Sequence, residues 1–477
     1  MLRTALTALL LVSSASAQQL LHTFDAGTHD SFGYGLGPVG DINQDGHADF
    51  MIGAFAWGTG WPKAMIYSGR TLNVIWTWFG GVERGNAEAY VSRCLGDLNR
   101  DGVDDFVIST PHWNGGSYDP YYGWDRPDIG ALDAFSGKAA SMTPTREQLW
   151  HVEGDQWEEQ LTWELENVGD VDGDRADDLV ALDREYDRLF VYSGQRGKLI
   201  HQIDERFWSV CRVGDVTSDG LADFAASSAY EVRLFSGADT SIVLQWTTSS
   251  QQVGLSAIDL TGDGLVELAF SNNGNGMVYS CLDGSVVHQF DGKPGPQNVG
   301  DLDGDGRDDM QLYDPRDDGT ARWIFLSGRT LRRLDELFDT EDHILFRLEP
   351  VGDTNGDGFD DFLTAWTGYD PGGRAWLWGG DDLFLHARPD SAAAGQTLKF
   401  WTEAGEPGAP AMLVLTAVSG APTFAPIATG TIDADGAWLF AAVVPDRLKG
   451  LLMEFMAFAA RAGGGIEEAA PEVVAFR

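Results

Sequence analysis

The chain is short of cysteine, of positive charge and of long apolar runs, and each shortage excludes something. Three cysteines, Cys94, Cys211 and Cys281, stand far apart, and an odd number gives no disulfide framework. Their expected role is burial as small apolar side chains. Lys and Arg total 32 against 73 Asp and Glu, a formal charge of -41. Nucleic acid is thereby disfavoured as a partner, since phosphate backbones demand a basic surface, and anionic membrane surfaces are disfavoured too. No internal segment is long and apolar enough to span a bilayer; Leu451 to Ala460 is short and contains Glu454. Catalytic signatures are also missing. There is no nucleophile elbow, no zinc-type His-Glu-x-x-His and no carboxylate pair set apart by its spacing, so no catalytic residue is assigned.

What is present begins at the N-terminus. Arg3, the mostly apolar run Thr4 to Val12 and the small residues Ala15-Ser16-Ala17 form a secretory signal with cleavage predicted after Ala17. The mature protein is expected outside the cytoplasm: secreted, periplasmic or on the cell surface. With 43% hydrophobic residues and 17 tryptophans, an acidic disordered chain is a poor alternative.

The acidic residues are concentrated in a repeated loop, seen most cleanly as Asp301-Leu-Asp303-Gly-Asp305-Gly306-Arg-Asp-Asp309. Side-chain oxygens at positions one, three, five and nine, with a turn-permitting glycine at six, can converge on one Ca²⁺. Seven copies start at Asp41, Asp97, Asp170, Asp215, Asp259, Asp301 and Asp353, mostly at the spacing of propeller blades. The complete ligand sets are Asp41/Asn43/Asp45/Asp49, Asp97/Asn99/Asp101/Asp105, Asp301/Asp303/Asp305/Asp309 and Asp353/Asn355/Asp357/Asp361. The third, Asp170/Asp172/Asp174/Asp178, carries Arg175 where glycine is expected. The fourth and fifth, Asp215/Thr217/Asp219/Asp223 and Asp259/Thr261/Asp263/Glu267, have threonine at position three and are predicted to be the weak members of up to seven sites. An EF-hand would need flanking helices and a glutamate at position twelve. Here apolar β-like segments flank the loop, which places it in a β-hairpin with position seven (Val103 or Phe359, for example) offering its carbonyl.

Each loop leads into an apolar strand such as Asp105-Phe-Val-Ile. A third strand follows, closing on an aromatic-Ser-Gly corner in four copies (Tyr67-Ser68-Gly69, for example), and then a fourth, as in Val74-Ile-Trp-Thr-Trp78. Four short strands per repeat is blade grammar. Leu20-Leu-His-Thr-Phe24 resembles a fourth strand placed before the first loop, while the seventh repeat runs out after Ala375-Trp-Leu-Trp378. The N-terminal strand is therefore predicted to complete the last blade. The fold class is all-β: a seven-bladed β-propeller over residues 18–381, then a small C-terminal β-sandwich over 382–477. Leu451 to Ala460 is compatible with helix by composition, but strand is favoured.

These residues resemble the FG-GAP repeats of the integrin α-subunit N-terminal propeller. The first copy carries Phe32-Gly33 before its loop and Gly53-Ala54 after it, with Phe55 where the family has proline; later copies keep mainly the acidic loop. The resemblance implies calcium bound in hairpin loops on one face of a seven-bladed propeller, with ligand recognition on the opposite face. Without an inserted domain or a transmembrane helix, the chain looks more like secreted bacterial FG-GAP proteins.

On that opposite face the loops between second and third strands hold Trp57 and Trp61, then Trp113, Tyr118, Tyr121, Tyr122 and Trp124, and finally Trp366 and Tyr369. They fall on blades one, two and seven, which adjoin once the ring closes. Such aromatics among carboxylates suit a glycan or a protein partner; they are equally what would pack a long loop onto the propeller. The functional expectation is a binding or scaffold module for an extracellular protein or glycan. The alternative is a propeller enzyme of lyase or dehydratase type acting on polysaccharide, for which His112 and His29 are the nearest candidate bases.

Overall fold

The computed structural model describes residues 19–25, 31–55, 63–79, 89–112, 129–139, 146–155, 159–183, 185–249, 254–261, 264–291, 295–315, 321–339, 347–366 and 373–380, and then the C-terminal strands. Among these residues every regular element is a strand.

The first strand, β1 (Gln19–Asp25), stands apart from the sheet that follows it. Blade one is β2 (Ser31–Gly40), β3 (Asp49–Phe55), β4 (Lys63–Tyr67) and β5 (Val74–Phe79). Blade two is β6 (Ser92–Gly96), β7 (Asp105–Thr110), β8 (Ala131–Ala139) and β9 (Arg146–Glu153). Blade three is β10 (Glu164–Gly169), β11 (Asp178–Asp183), β12 (Arg188–Tyr192) and β13 (Leu199–Ile203). Blade four is β14 (Phe207–Gly214), β15 (Asp223–Ser228), β16 (Glu231–Phe235) and β17 (Ile242–Thr247). Blade five is β18 (Leu255–Ile258), β19 (Glu267–Asn272), β20 (Asn275–Ser280) and β21 (Val286–Phe290). Blade six is β22 (Gln297–Gly300), β23 (Asp309–Pro315), β24 (Ala321–Leu326) and β25 (Arg333–Asp339). Blade seven is β26 (Arg347–Gly352), β27 (Asp361–Trp366) and β28 (Arg374–Gly379), and its outer strand is β1, paired antiparallel with β28 from Gln19↔Gly379 to Asp25↔Arg374.

These seven sheets form a seven-bladed β-propeller. The first strand of each blade touches the first strand of the next, and β26 touches β2 to complete the ring. Seven apolar clusters fill the seven spaces between adjacent blades. One holds Ile66, Trp76 and Trp78 of blade one against Phe106, Ile108 and Phe135 of blade two. Another holds Phe24, Leu363 and Leu377 of blade seven against Phe32, Phe50 and Tyr67 of blade one. Second strands are covered on both faces, so β7, β11 and β15 are buried at every residue. Burial on both sides explains why these strands read as unbroken apolar runs rather than alternating ones.

Beyond the ring the chain forms two further sheets. One joins β29 (Phe384–Arg388), β31 (Thr397–Glu403) and β34 (Trp438–Val443). The other runs β30 (Ser391–Ala392), β37 (Glu472–Phe476), β35 (Leu452–Arg461), β32 (Pro410–Val418) and β33 (Ala421–Thr431), with β36 (Gly465–Glu468) on β35. The Leu452–Arg461 segment is strand, not helix.

Candidate metal centres

Every acidic loop joins the first and second strands of its blade, so all seven lie on one face of the ring. The backbone sets them up. Position six lies in the left-handed region in all seven copies: Gly46, Gly102, Gly220, Gly264, Gly306 and Gly358 have φ between 86° and 95°, and Arg175 has 74°. The residue before position one is a left-handed glycine in six copies, from Gly40 to Gly352, and each of those first strands breaks register just before it. The break is a bulge that turns the chain into the loop.

Inside the loop, the position-one carboxylate accepts the N–H of position six: Gly46 to Asp41 at 2.8 Å, Gly102 to Asp97 at 2.8 Å, Arg175 to Asp170 at 2.8 Å, Gly306 to Asp301 at 2.9 Å. The same bond recurs from Gly220 to Asp215, Gly264 to Asp259 and Gly358 to Asp353. The position-nine acid is fully buried in six copies, and in five of them it bonds in two directions. One oxygen accepts the N–H of position two, as from Ile42 to Asp49 and Leu302 to Asp309. The other accepts the glycine N–H of the Ser-Gly corner, between 2.8 and 3.1 Å, in blades one, two, three, four and six. The corner serine also reaches the loop, Ser68 to Asp45 and Ser136 to Asp101, both at 3.3 Å. The corner is therefore the loop's anchor. From the sequence it reads only as a strand-ending turn, although its recurrence at a fixed place in the repeat is the available signal.

Positions three and five brace the turn. The position-three oxygen accepts the N–H of position five: Asn43 from Asp45 at 3.0 Å, Asn99 from Asp101 at 2.9 Å, Asp172 from Asp174 at 3.0 Å, and Asn355 from Asp357 at 2.8 Å. The position-five carboxylate in turn accepts the N–H of position seven, as Asp174 does from Ala176 and Asp219 from Leu221, both at 2.9 Å. Two of the amides also turn a donor away from the loop centre or onto its acid. Asn99 donates to the Ser136 hydroxyl at 3.1 Å, and Asn43 donates to Asp49 at 3.2 Å.

Gathered carboxylates shift one another. Burial, helped by Asp41 and Asp45, pushes Asp49 up to about 7, and burial likewise pushes Asp178 and Asp361 up to about 7. In the sixth loop burial and the neighbouring carboxylates raise Asp301 to about 6 and Asp303 to about 7, and hold Asp309 well above the carboxylate range. Among the described residues, Asp170, Asp172 and Asp178, and again Asp301, Asp303 and Asp309, bring three carboxylate oxygens within 4.8 Å of one another. A donor set of several clustered carboxylate oxygens fits a hard divalent cation, whose charge relieves the repulsion that raises these values.

This gathering is narrower than the four-ligand pattern read from the sequence. Asp174 and Asp305, at position five, stand outside the clusters of their own loops. Among the described residues Asp215, Asp219 and Asp223 of the fourth loop do not converge so closely, nor do the three acids of the first, second and seventh loops. The physical reason is local in each case. Position-five oxygens follow the backbone N–H of position seven around the turn, and in the first, second and seventh loops Asn43, Asn99 and Asn355 put a neutral amide where the third and sixth loops have an acid. An amide oxygen can still ligate Ca²⁺, but it adds no charge to the set.

The variant loops differ as chemistry would have it. Thr217 and Thr261 turn their hydroxyls on the position-nine acids, Asp223 at 3.4 Å and Glu267 at 3.3 Å. In blade five Ile258 stands where the bulge glycine stands elsewhere, and the longer Glu267 still accepts the N–H groups of Leu260 and Thr261. Asp263 lies outside the described residues. In blade seven the corner is replaced by Gly379-Gly380, and Asp361 keeps one oxygen with no hydrogen-bond partner despite complete burial.

Of the aromatic set, Trp366 is half-buried at the end of β27; Trp57, Trp61, Trp113, Tyr118, Tyr121, Tyr122, Trp124 and Tyr369 lie outside the described residues, as does His29. His112 packs edge-on against Trp163 at 5.7 Å. Tyr186 and Tyr230, at the strand 2–3 connections of blades three and four, are exposed, as is Tyr313 within β23, where it pairs with Trp323. The central channel, about 710 Å³, is lined by first strands of all seven blades and includes Arg93, Glu164, Glu166, Arg212 and Glu349 but not His112. Arg93 bonds Glu166 at 3.0 Å and Glu349 at 2.5 Å there, tying blades two, three and seven together.

No family model matches the chain, and no curated protein matches it in sequence. Among solved structures it is similar to the BBS1N chain in a crystal structure of BBS1N in complex with ARL6DN, soaked with mercury. The TM-score is 0.48 and the identity 9%, over 76% of this chain and 97% of that one. The fold rests on the seven sheets themselves.

Proposed function

We propose that this chain is a secreted, calcium-stabilised FG-GAP-type propeller, followed by a β-sandwich, that acts as a binding or scaffold module for an extracellular protein or glycan. The observation that carries the cation part is the gathering of three carboxylates within 4.8 Å in the third and sixth loops, with burial and mutual repulsion raising the sixth-loop acids. Oxygen-only donors in a flexible loop favour Ca²⁺ over the stricter octahedral Mg²⁺. Binding only to folded loops, each ion adds stability by mass action, about 2.7 kcal/mol per site at a hundredfold excess over Kd. Chelation should therefore lower the melting temperature, and metal counting should find the fourth and fifth loops the first to empty. An unchanged melt in chelator sinks the cation reading.

The binding part is supported by geometry of a different kind. With the acidic loops on one face, the strand 2–3 connections emerge on the other, where Tyr186 and Tyr230 are exposed. A glycan and cell-surface protein screen with and without calcium tests it. Trp113→Ala with Trp124→Ala should abolish a genuine hit without altering the melt; a hit that survives the double substitution moves the site off that face.

A further inference from the structure

The loops hold one another as well as any ion. The N–H at position eight of one loop donates to the carbonyl at position one of the preceding blade's loop: Ala48 to Asp353 at 2.9 Å, Ala222 to Asp170 at 2.8 Å, and Asp360 to Asp301 at 2.9 Å. Between blades six and seven the grip is double, because the Asp360 carboxylate accepts the Asp301 N–H at 3.0 Å. Position seven adds packing. A Cβ on Gly304 would lie 2.1 Å from the Phe359 ring, and one on Gly356 would lie 2.3 Å from the His47 ring. Each ring thus sits on position four of the preceding loop. Blades one and two are tied by the Gln44 side-chain amide donating to the Gly102 carbonyl at 2.7 Å.

These contacts fall on the positions a cation would use. Position one supplies the first carboxylate, and position seven, which carries the Phe359 and His47 rings, supplies a carbonyl. Ordering the seventh loop fixes the backbone of Asp301 in the sixth from both its N–H and its C=O. Independently, the partnerless and fully buried Asp361 oxygen marks the seventh loop as holding an acceptor that no protein donor satisfies.

We propose that neighbouring cation sites are coupled around this face, the seventh loop positioning Asp301 so that filling either of these two sites raises the affinity of the other. The proposal rests on the cation reading above. Coupling of this kind is reciprocal by linkage, and it needs no change of fold: an ordered neighbour leaves less conformational entropy to be lost when the second ion binds. One backbone hydrogen bond and one to the Asp360 carboxylate, only part of whose strength depends on the neighbouring loop's order, make a roughly three- to tenfold change in affinity reasonable.

Hydrogen exchange of the full-length chain, followed peptide by peptide against free Ca²⁺, reads each loop separately. Asp353→Asn removes the position-one carboxylate charge from the seventh loop but leaves Asp360 and Phe359. It should abolish calcium protection of residues 353–361 and move the midpoint of 301–309 to higher calcium, while 97–105 stays put. Asp360→Ala touches no candidate ligand and should shift 301–309 in the same direction. A 301–309 midpoint unmoved by Asp360→Ala overturns the proposal, as does an equal shift at 97–105, which would signal general destabilisation. If no loop of the unmodified protein gains protection with calcium, the cation reading itself fails, and the coupling with it.

Discussion

Arg175 sits with φ 74° at a position that is glycine in the other six loops. A side chain in the left-handed region costs on the order of 1–2 kcal/mol, partly offset because glycine loses more freedom on folding. Arg175→Gly should therefore stabilise the propeller by about 0.5–1 kcal/mol, measured by denaturant unfolding at fixed calcium. Glycine at the Ser-Gly corner is required for another reason. A Cβ on Gly137 would lie 1.8 Å from the Asp104 carbonyl oxygen, whereas one on Gly102 meets nothing within 4 Å. Gly137→Ala must push the corner off the loop and break the Gly137 N–H bond to Asp105, a loss of about 2–4 kcal/mol. Gly102→Ala should cost only the backbone strain, about 1 kcal/mol. Equal losses would mean that the corner does not anchor the loop. A third residue reports on pH. His151 lies between Asp133 at 2.7 Å and Glu153 at 3.0 Å, with Gln148 also on Asp133. The hydrogen bond that the ring donates to Asp133 raises its pKa above 6.5 in spite of partial burial. Its stabilising contribution is full below pH 6.5 and disappears as the pH rises through the raised value. An NMR titration that puts His151 at or below 6.5 contradicts this.

At the scale of elements, β1 is the test of how the ring closes. It supplies Phe24, which is 5% exposed and packs on Phe50 at 5.7 Å and Tyr67 at 4.8 Å, inside the cluster between blades seven and one. Removing residues 19–25 bares the edge of β28 and opens that cluster. The whole propeller should melt lower, whereas Asp25→Ala, which breaks only the exposed ion pair to Arg374, should change little. A melt unaltered by the deletion would mean that blade seven does not need its outer strand. The same strand shows what is legible in the chain. Leu20 to Phe24 reads as a fourth strand because its apolar residues match those of other repeats, and the second strands are readable because burial on both faces leaves no polar alternation. The acidic positions of each loop were legible as a set, but not which of them converge. The spacing alone cannot tell that Asp172 meets Asp170 and Asp178 while Asp174 follows a backbone N–H away from them. The bulge glycines, the corner-to-aspartate bonds and the grips between loops were not legible. They depend on backbone torsion and on which loop lies beside which, and a linear repeat specifies only the period. The aromatic loops could be read as residues but not as a surface, because a sequence does not say which way a long connection turns.

For the whole molecule, the question is what keeps seven wedges in one ring when each apolar cluster joins only two of them. The channel supplies one link that crosses the ring. Arg93 on β6 reaches Glu166 on β10 and Glu349 on β26, bridging to the next blade and past blade one to blade seven. Its side chain is only 15% exposed. Burial opposes its charge, but the carboxylates of Glu349 and Glu166 outweigh that and drive its pKa further up. Burial correspondingly lifts Glu166, with Arg93 pulling it back. Such a network is costly to break from one side, because the half-buried Glu349 and Glu166 lose a shared counter-charge together, although Glu166 keeps another cation, Arg212, nearby. Arg93→Ala should therefore destabilise by about 3–5 kcal/mol. If the cost is the stranded charge and not lost packing, neutralising the partners must recover it. The triple variant Arg93→Met, Glu166→Gln, Glu349→Gln should melt within a few degrees of the unmodified protein, whereas Arg93→Met alone should not. Equal melts for the single and triple variants would place the stabilisation in the arginine's aliphatic stem, and the ring would then be held by its seven interblade clusters and its belt of acidic loops alone.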